Sequence, residues 1–462
     1  MRPQPCASQR PVIRGRRIVR RAAACPAGDG MLSSPAMDTA LLHRTIDTLC
    51  RDELPKIIGG LMRVVRDLDL AEELAQDALV AALECWPRDG LPDNPGAWLM
   101  TAARNRGIDR LRRGRLLDAK HAELAREIEQ AQRESDARAQ DALDDAIGDD
   151  VLRLMFVACH PALTVDSQVA LTLRMIGGLT TDEIARAFLV PEATIAQRIV
   201  RAKKTIAKAG APFEVPQRAD LPARLSAVLH VLYLVFNEGF AASSGEDWAR
   251  PDLCADALRL TRVLGDLMPR EAEVHALVAL MALQASRLDA RVDADGRPVL
   301  LPDQDRTRWD RDLIDAGLAA LARARGLRGA GAPAAYELQA AIAACHARAP
   351  AANATEWARI AALYGQLLAL SGSPVVALNR AVAIGMADGP ATALPLVDAL
   401  AGDATLADYH LLPGVRGDLL ARLGRHAEAC LAFEQAAALA RNPRERDWLR
   451  ARAVECRHHS SP

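Results

Sequence analysis

Apolar residues recur three and four positions apart along most of the chain, broken by short clusters of turn residues, and this spacing predicts helices almost throughout. In the stretch from Met37 to Leu117, Leu68, Leu70, Leu74, Ala78 and Leu79 share one helix face, while Asp67, Asp69, Glu72, Glu73, Gln76 and Asp77 occupy the others. Pro87 is expected to end this helix. Arg88 to Pro95 reads as a loop, and a helix restarts at about Gly96 with Trp98, Leu99, Ala102, Ile108 and Leu111 on its buried side. From Val151 to Gly210 a second helical unit ends in TTDEIARAFLVPEATIAQRIVRAKK. There Thr180 can cap a helix with Glu183 completing a capping box. Val190-Pro191 breaks that helix, and Pro191 suits the first turn of the next. Ile184, Ala185, Phe188, Ile195 and Ile199 supply the apolar contacts that hold the two helices at an angle.

Pro212 to Pro222 reads as a linker, after which helical spacing continues to about Arg457. One strand-like feature interrupts it, ARVDADGRPVLL, where Asp295-Gly296 could turn a small hairpin. Near the end, GDLLARLGRHAEACLAFEQAAALA has the spacing of a tetratricopeptide helix pair, with Gly417, Leu420, Gly424, Glu428, Ala429, Phe433, Ala436 and Leu439 in register. A looser copy places Gly365, Leu368, Gly372, Ala377 and Ala381 likewise; upstream of Trp357 no copy is clear. Small residues at these points let neighbouring helices stack closely.

Composition agrees with the pattern. The 462 residues are 50% hydrophobic and only 3% aromatic, and Ala, Leu and Arg are abundant, which favours helix over strand. The expected fold class is all-α, divided into a basic leader (1–36), a first helical domain (37–117), an acidic linker (118–150), a helix-turn-helix domain (151–210) and a helical C-terminal domain (211–457). No apolar run reaches the roughly 18 residues that span a bilayer, so no membrane partner is expected. Nine widely spread cysteines form no CxxC pair, which fits reduced thiols in a cytoplasm. Cys159-His160, an adjacent Cys-His pair, reads as core packing.

Charge changes the picture, because it is segregated. The leader carries Arg2, Arg10, Arg14, Arg16, Arg17, Arg20 and Arg21 with no acid before Asp29. It reads as a disordered segment, as sequence upstream of a start at Met31 or Met37, or as a basic arm touching nucleic acid. Arg104, Arg106, Arg110, Arg112, Arg113 and Arg115 crowd the end of the helix begun at Gly96, against Asp109 alone. From Asp118 to Asp150 eleven acids oppose four bases, a balance of −7, as in a solvated spacer. The whole chain is nonetheless near neutral, with a net charge of −1.

A recognition helix presents its N-terminal part to base edges in the major groove. Here that part is Glu192, Thr194, Gln197 and Arg198, residue types able to bond cytosine, adenine and guanine edges. Arg201, Lys203, Lys204 and Lys208 are better placed for phosphates. The basic helix of the first unit could follow a single strand, with the Pro/Asn loop holding an unstacked base. The acidic helix is unsuited to DNA and should face a protein.

The residues resemble a known family. DLDLAEELAQDALVAALECWP, NPGAWLMTAARNRGIDRLRRGR and LTTDEIARAFLVPEATIAQRIVRAKK are similar, in order and separation, to regions 2.2, 2.3–2.4 and 4.2 of bacterial sigma factors of the extracytoplasmic function (ECF) type. FNEGFAASSGEDWARPDLC, RTRWDRDLI, SPVVALNRAVA, the DGP at 388–390 and YHLLPGVRGDLLARLGR resemble the subgroup with a long tetratricopeptide-like C-terminal extension. The resemblance implies that Asp67, Glu72, Glu73, Gln76 and Asp77 dock on the β′ clamp helices of RNA polymerase. It also implies that Asn94, Arg104, Asn105, Arg110 and Arg113 open and hold the −10 element. Glu192, Thr194, Gln197, Arg198, Arg201, Lys203 and Lys204 would read or hold the −35 element, with the β flap as the partner nearby. The acidic linker would either thread the polymerase cleft or serve as a plain spacer. The extension would regulate, with a protein partner in its groove or through residues 238–250 touching the sigma core, where a simple interhelix loop is the other reading. Localisation would be cytoplasmic.

Three other readings compete, one of them a pure tetratricopeptide scaffold, which fails to explain the two basic helices. A stand-alone helix-turn-helix regulator with a helical sensor would bind duplex unaided and leave the first unit without a task. An enzyme in the C-terminal half lacks support: no phosphate loop, HExxH or GxSxG occurs, and no cofactor is expected. His230, His275, His346 and His410 sit singly in helical patterns.

Overall fold

The computed structural model describes residues 53–114, 150–188, 190–217, 219–240, 249–293, 299–440 and 442–460. The fold is all-α. The basic leader, nearly all of the acidic segment and residues 241–248 lie outside the described residues.

Helices α1 (53–65), α2 (Leu68–Asp89) and α3 (Pro95–Gly114) come first. Asp67 caps α2 by accepting the Leu70 N–H at 2.9 Å. Leu68, Leu74 and Ala78 are buried, with Leu70 and Leu79 half-buried beside them. Pro87 does not end α2 but lies in its last turn. The helical φ suits proline, and on this exposed turn the missing N–H costs little. The chain leaves the helix at Gly90, whose φ of 85° favours glycine. Asn94 caps α3 through the Ala97 N–H at 3.0 Å, and the Trp86 and Trp98 rings meet edge-on, 5.5 Å apart.

Next come α4 (150–158), α5 (Val165–Met175), α6 (Thr181–Phe188) and α7 (Glu192–Ala209). The capping box forms: the Glu183 N–H donates to Thr180 Oγ1 at 3.2 Å, and the Thr180 N–H donates to Glu183 Oε2 at 2.7 Å. Pro191 sits just ahead of α7 as its cap rather than within its first turn.

The C-terminal region comprises α8 (Leu221–Phe240), α9 (Pro251–Leu267), α10 (Ala272–Ala285), α11 (Arg311–Arg328), α12 (Ala335–Arg348), α13 (Trp357–Ser371), α14 (Pro374–Ala387), α15 (Pro390–Asp398), α16 (Leu411–Arg422), α17 (His426–Leu439) and α18 (Pro443–Ser460). Consecutive helices pack on one another, and α13/α14 and α16/α17 are the pairs expected from the repeat spacing. Gly417 allows the second pair to close, because a Cβ there would come within 3.0 Å of the Phe433 ring. The expected hairpin survives as one backbone approach, the Val299 N–H donating to the Arg291 carbonyl at 2.8 Å, while its turn lies outside the described residues.

The largest apolar core runs from Leu54 through both N-terminal units into the C-terminal region as far as Ala347. A second core gathers residues from Leu378 to Cys456, and a small group at Ile342, Cys345, Ile360 and Ala383 lies between them. The C-terminal region is thus fused at its near end to what precedes it.

Within the C-terminal region, Gly239 marks a tight point between α8 and α9. A Cβ there would lie 2.7 Å from the Cys254 backbone N and 3.0 Å from the Arg250 carbonyl O. Backbone atoms cannot rotate away, so Gly239→Ala should force α8 from α9 and lower stability by about 1–3 kcal/mol. Urea denaturation followed by far-UV circular dichroism checks this, and an unchanged midpoint refutes the tight contact.

Candidate functional site

The acidic face of α2 does not lie open to solvent. Glu72 is buried and accepts from Arg174 Nε of α5 at 2.7 Å and from Lys203 Nζ of α7. Lys203 also donates to Asp69 at 2.8 Å, and the half-buried Gln76 amide donates to Glu72 Oε1 at 2.7 Å. Burial works against the Lys203 ammonium, but the Glu72 and Asp69 carboxylates outweigh it and hold its pKa above the ordinary lysine value. The other acids of α2 face elsewhere. Asp67 is spent on the helix cap. Glu73 is exposed and pairs with Arg110 of α3, which raises the Arg110 pKa chiefly through that hydrogen bond. Asp77 is exposed, and its backbone carbonyl accepts from Arg106.

On α7, Glu192, Thr194, Gln197, Arg201 and Lys204 are exposed, while Ile195, Ile199, Ala202 and Ile206 form the buried stripe. That division is what an 18-residue amphipathic helix with apolar residues three and four apart must give. Arg198 is half-buried, 3.2 Å from Asp166 at the start of α5. Lys203, expected to face DNA, instead points across to α2 and is buried. On α3, Asn94 is a cap, Arg104 is half-buried, Asn105 is exposed and Arg110 is paired; the Arg113 side chain lies outside the described residues.

The structure therefore brings one basic residue of α7 onto the acidic face of α2 and leaves Glu192, Thr194 and Gln197 of α7 open. Sequence reasoning missed Arg174 and Asp69 as members of this contact. It also placed Asp150 in a solvated spacer, whereas Asp150 is buried and paired with Arg63 at 2.6 Å and with Arg153 at 2.8 Å. Burial raises its pKa against the pull of both arginines. Its position at the end of an acidic run hid it. Arg63, 87 residues away in sequence, carries no local signal of the pairing.

Three arginines of the C-terminal region clasp the α4–α7 unit by its backbone. Arg224 donates to the Phe156 carbonyl at 2.6 Å, Arg259 to the Gly177 carbonyl at 3.1 Å, and Arg250 to the Ala187 carbonyl. Arg250 also pairs with Glu238 at 2.6 Å. The expected contact between the 238–250 segment and the unit before it is thus made by the segment's last residue.

Comparison with known proteins gives these surfaces a class. Residues 49–116 match Sigma-70 region 2, and residues 153–206 match Sigma-70, region 4. Residues 224–325 match a family of unknown function, DUF6596. A region 2 followed by a region 4 is the composition of a transcription initiation factor that binds core RNA polymerase and promoter DNA. The ECF RNA polymerase sigma factor SigK of Mycobacterium ulcerans is 30% identical over 148 residues, covering 31% of this chain and 74% of that protein. The SigK of Mycobacterium tuberculosis is 30% identical over 155 residues, 33% of this chain and 78% of that one. The chain belongs to the ECF sigma factors of the sigma-70 family and carries a C-terminal extension beyond region 4. An uncharacterized protein of Rhizobium meliloti (strain 1021) is 46% identical over 407 residues, 88% of this chain and 94% of its own length, so it shares the extension as well. No solved structure matches the chain. No helix among the described residues is long and apolar enough to cross a membrane.

The Glu72 contact can be weighed directly. Glu72→Leu leaves Arg174 and Lys203 short of a partner in a mostly buried place and should cost about 1.5–3 kcal/mol. Adding Lys203→Met should restore at least half of that loss, because the second charge no longer needs compensation. Thermal and chemical denaturation of the two single variants and the double variant closes the cycle. Additive losses would show that the two side chains do not interact.

Proposed function

We propose that this sigma factor docks on the β′ clamp helices through the α2 face bearing Asp67, Glu72, Glu73, Gln76 and Asp77. The α3 residues Asn94, Arg104, Asn105, Arg110 and Arg113 then engage the −10 element. Glu192, Thr194, Gln197 and Arg198 read −35 bases, and Arg201, Lys203 and Lys204 hold phosphates beside the β flap. The extension regulates this by fixing region 4 in a closed arrangement. The observation that carries the reading is Glu72 paired with Lys203: a residue meant for polymerase and a residue meant for DNA neutralise each other. Core polymerase must therefore displace Arg174 and Lys203 from Glu72, which frees Lys203 for the promoter in the same step. A near-neutral chain binds duplex weakly on its own, since non-specific affinity grows with the phosphates neutralised. Most affinity for the promoter then comes with the polymerase.

Run-off transcription with purified core polymerase tests the scheme on the full chain. Arg174→Gln weakens closure without removing any residue assigned to polymerase or DNA. Loss of ~1 kcal/mol of closure should raise transcript yield about fivefold at limiting polymerase. A drop in yield from the folded variant would overturn the closed-state reading. In the same assay Arg198→Ala should lose discrimination at one −35 base position. An equal drop on every promoter would make Arg198 a phosphate contact.

A further inference from the structure

The extension holds a cavity of about 560 Å³ between its two apolar cores, a volume that suits one small molecule. Trp357, Val382, Met386, Leu419, Phe433 and Trp448 make its walls largely apolar. Its charged groups are unevenly satisfied. On one wall Asp418 pairs with Arg452 at 3.1 Å, and Glu445 lies 2.9 Å from His410 Nε2, close but outside hydrogen-bond geometry. On the other, Arg287 and Arg291 stand side by side over the Phe240 ring, their guanidinium carbons 4.8 and 3.9 Å from its centre.

Arg287 donates Nε and Nη2 to the neutral Gln284 Oε1, at 3.0 and 2.8 Å. Arg291 Nη1 is buried and meets no hydrogen-bond partner, and neither does the buried His346 Nδ1 on the same lining. Among the described residues no carboxylate pairs with either arginine. Burial, joined by the neighbouring Arg291 charge, pushes the Arg287 guanidinium below its ordinary value, and burial does the same to Arg291. Burial and the Arg287 and Arg306 charges push His346 down to about 4, so it is neutral and can donate without adding charge. Among the described residues these two like charges, held largely away from water, have no counter-charge, and one would make the arrangement favourable.

We propose that this cavity is a binding site for a small organic anion. Its carboxylate, sulfonate or phosphate is held by Arg287 and Arg291, and its apolar body lies against Trp357 and Met386. Guanidinium groups are suited to such oxyanions, which they can grip with two parallel hydrogen bonds.

The test uses the full chain and two fluorescent probes that share one ring system. 1-Anilinonaphthalene-8-sulfonate carries the anion, and N-phenyl-1-naphthylamine lacks it. The sulfonate should bind saturably, one per chain, and at least tenfold more tightly than the neutral probe. Arg291→Met should weaken the sulfonate at least tenfold and change the neutral probe less than threefold. Met386→Trp, which fills the cavity and leaves both arginines in place, should abolish binding of both probes with an unchanged circular dichroism spectrum. It carries the test if Arg291→Met does not fold. Equal affinity for the two probes, or binding that survives Met386→Trp in the folded protein, would overturn the proposal.

Discussion

A single carboxylate, Glu72, sits where two helical units meet and accepts from a cation on each of two helices of the other unit. Such an arrangement is stable only while all three charges remain together, because any one left alone in that place is poorly solvated. The relation between region 2 and region 4 therefore depends on a contact that an external partner can copy. A polymerase surface that offered cations to α2 would satisfy Glu72 equally well. Water alone would do so less well, since the apolar residues around the contact would also have to be exposed.

The polar contacts described between the extension and region 4 run to backbone, beside an apolar core that the two share. Arg224, Arg250 and Arg259 all donate to main-chain carbonyls, at the ends of α4, α5 and α6. Contacts of that kind do not depend on which side chains region 4 carries, and they leave Glu192, Thr194 and Gln197 of α7 exposed. The apolar core that continues from region 4 through α8 and α9 makes the clasp part of a packed interior.

Much of this was legible in the sequence where the signals are local. The Thr180–Glu183 capping box, the apolar contacts of Ile195 and Ile199 on α7 and the Gly417 approach all follow from residue types at fixed offsets, and the structure has each of them. Pro87 misled because proline is judged by its interior cost, which a last, exposed turn avoids. The pairing of Glu72 with Lys203 spans 131 residues and leaves no pattern in either helix. Each reads as an ordinary member of a charged face, and only the packing of α2 against α7 shows that they meet. Arg287 and Arg291 were invisible for the same reason. Their shared ring partner, Phe240, is no sequence neighbour, and only the fold brings the two guanidinium groups over it.

The unbroken interior between region 4 and α9 also governs how such chains can be recombined. A hybrid that joins the promoter-reading half of one relative to the tail of another at the apparent linker, 212–222, would place its seam inside a shared core. Leu225, Val228, Leu229 and Leu232 would then face foreign partners across the join. Swaps made beyond Ala347 would keep the buried residues of the two main cores whole and divide only the small group at Ile342, Cys345, Ile360 and Ala383, which makes that region the better crossover for exchanging tails between relatives.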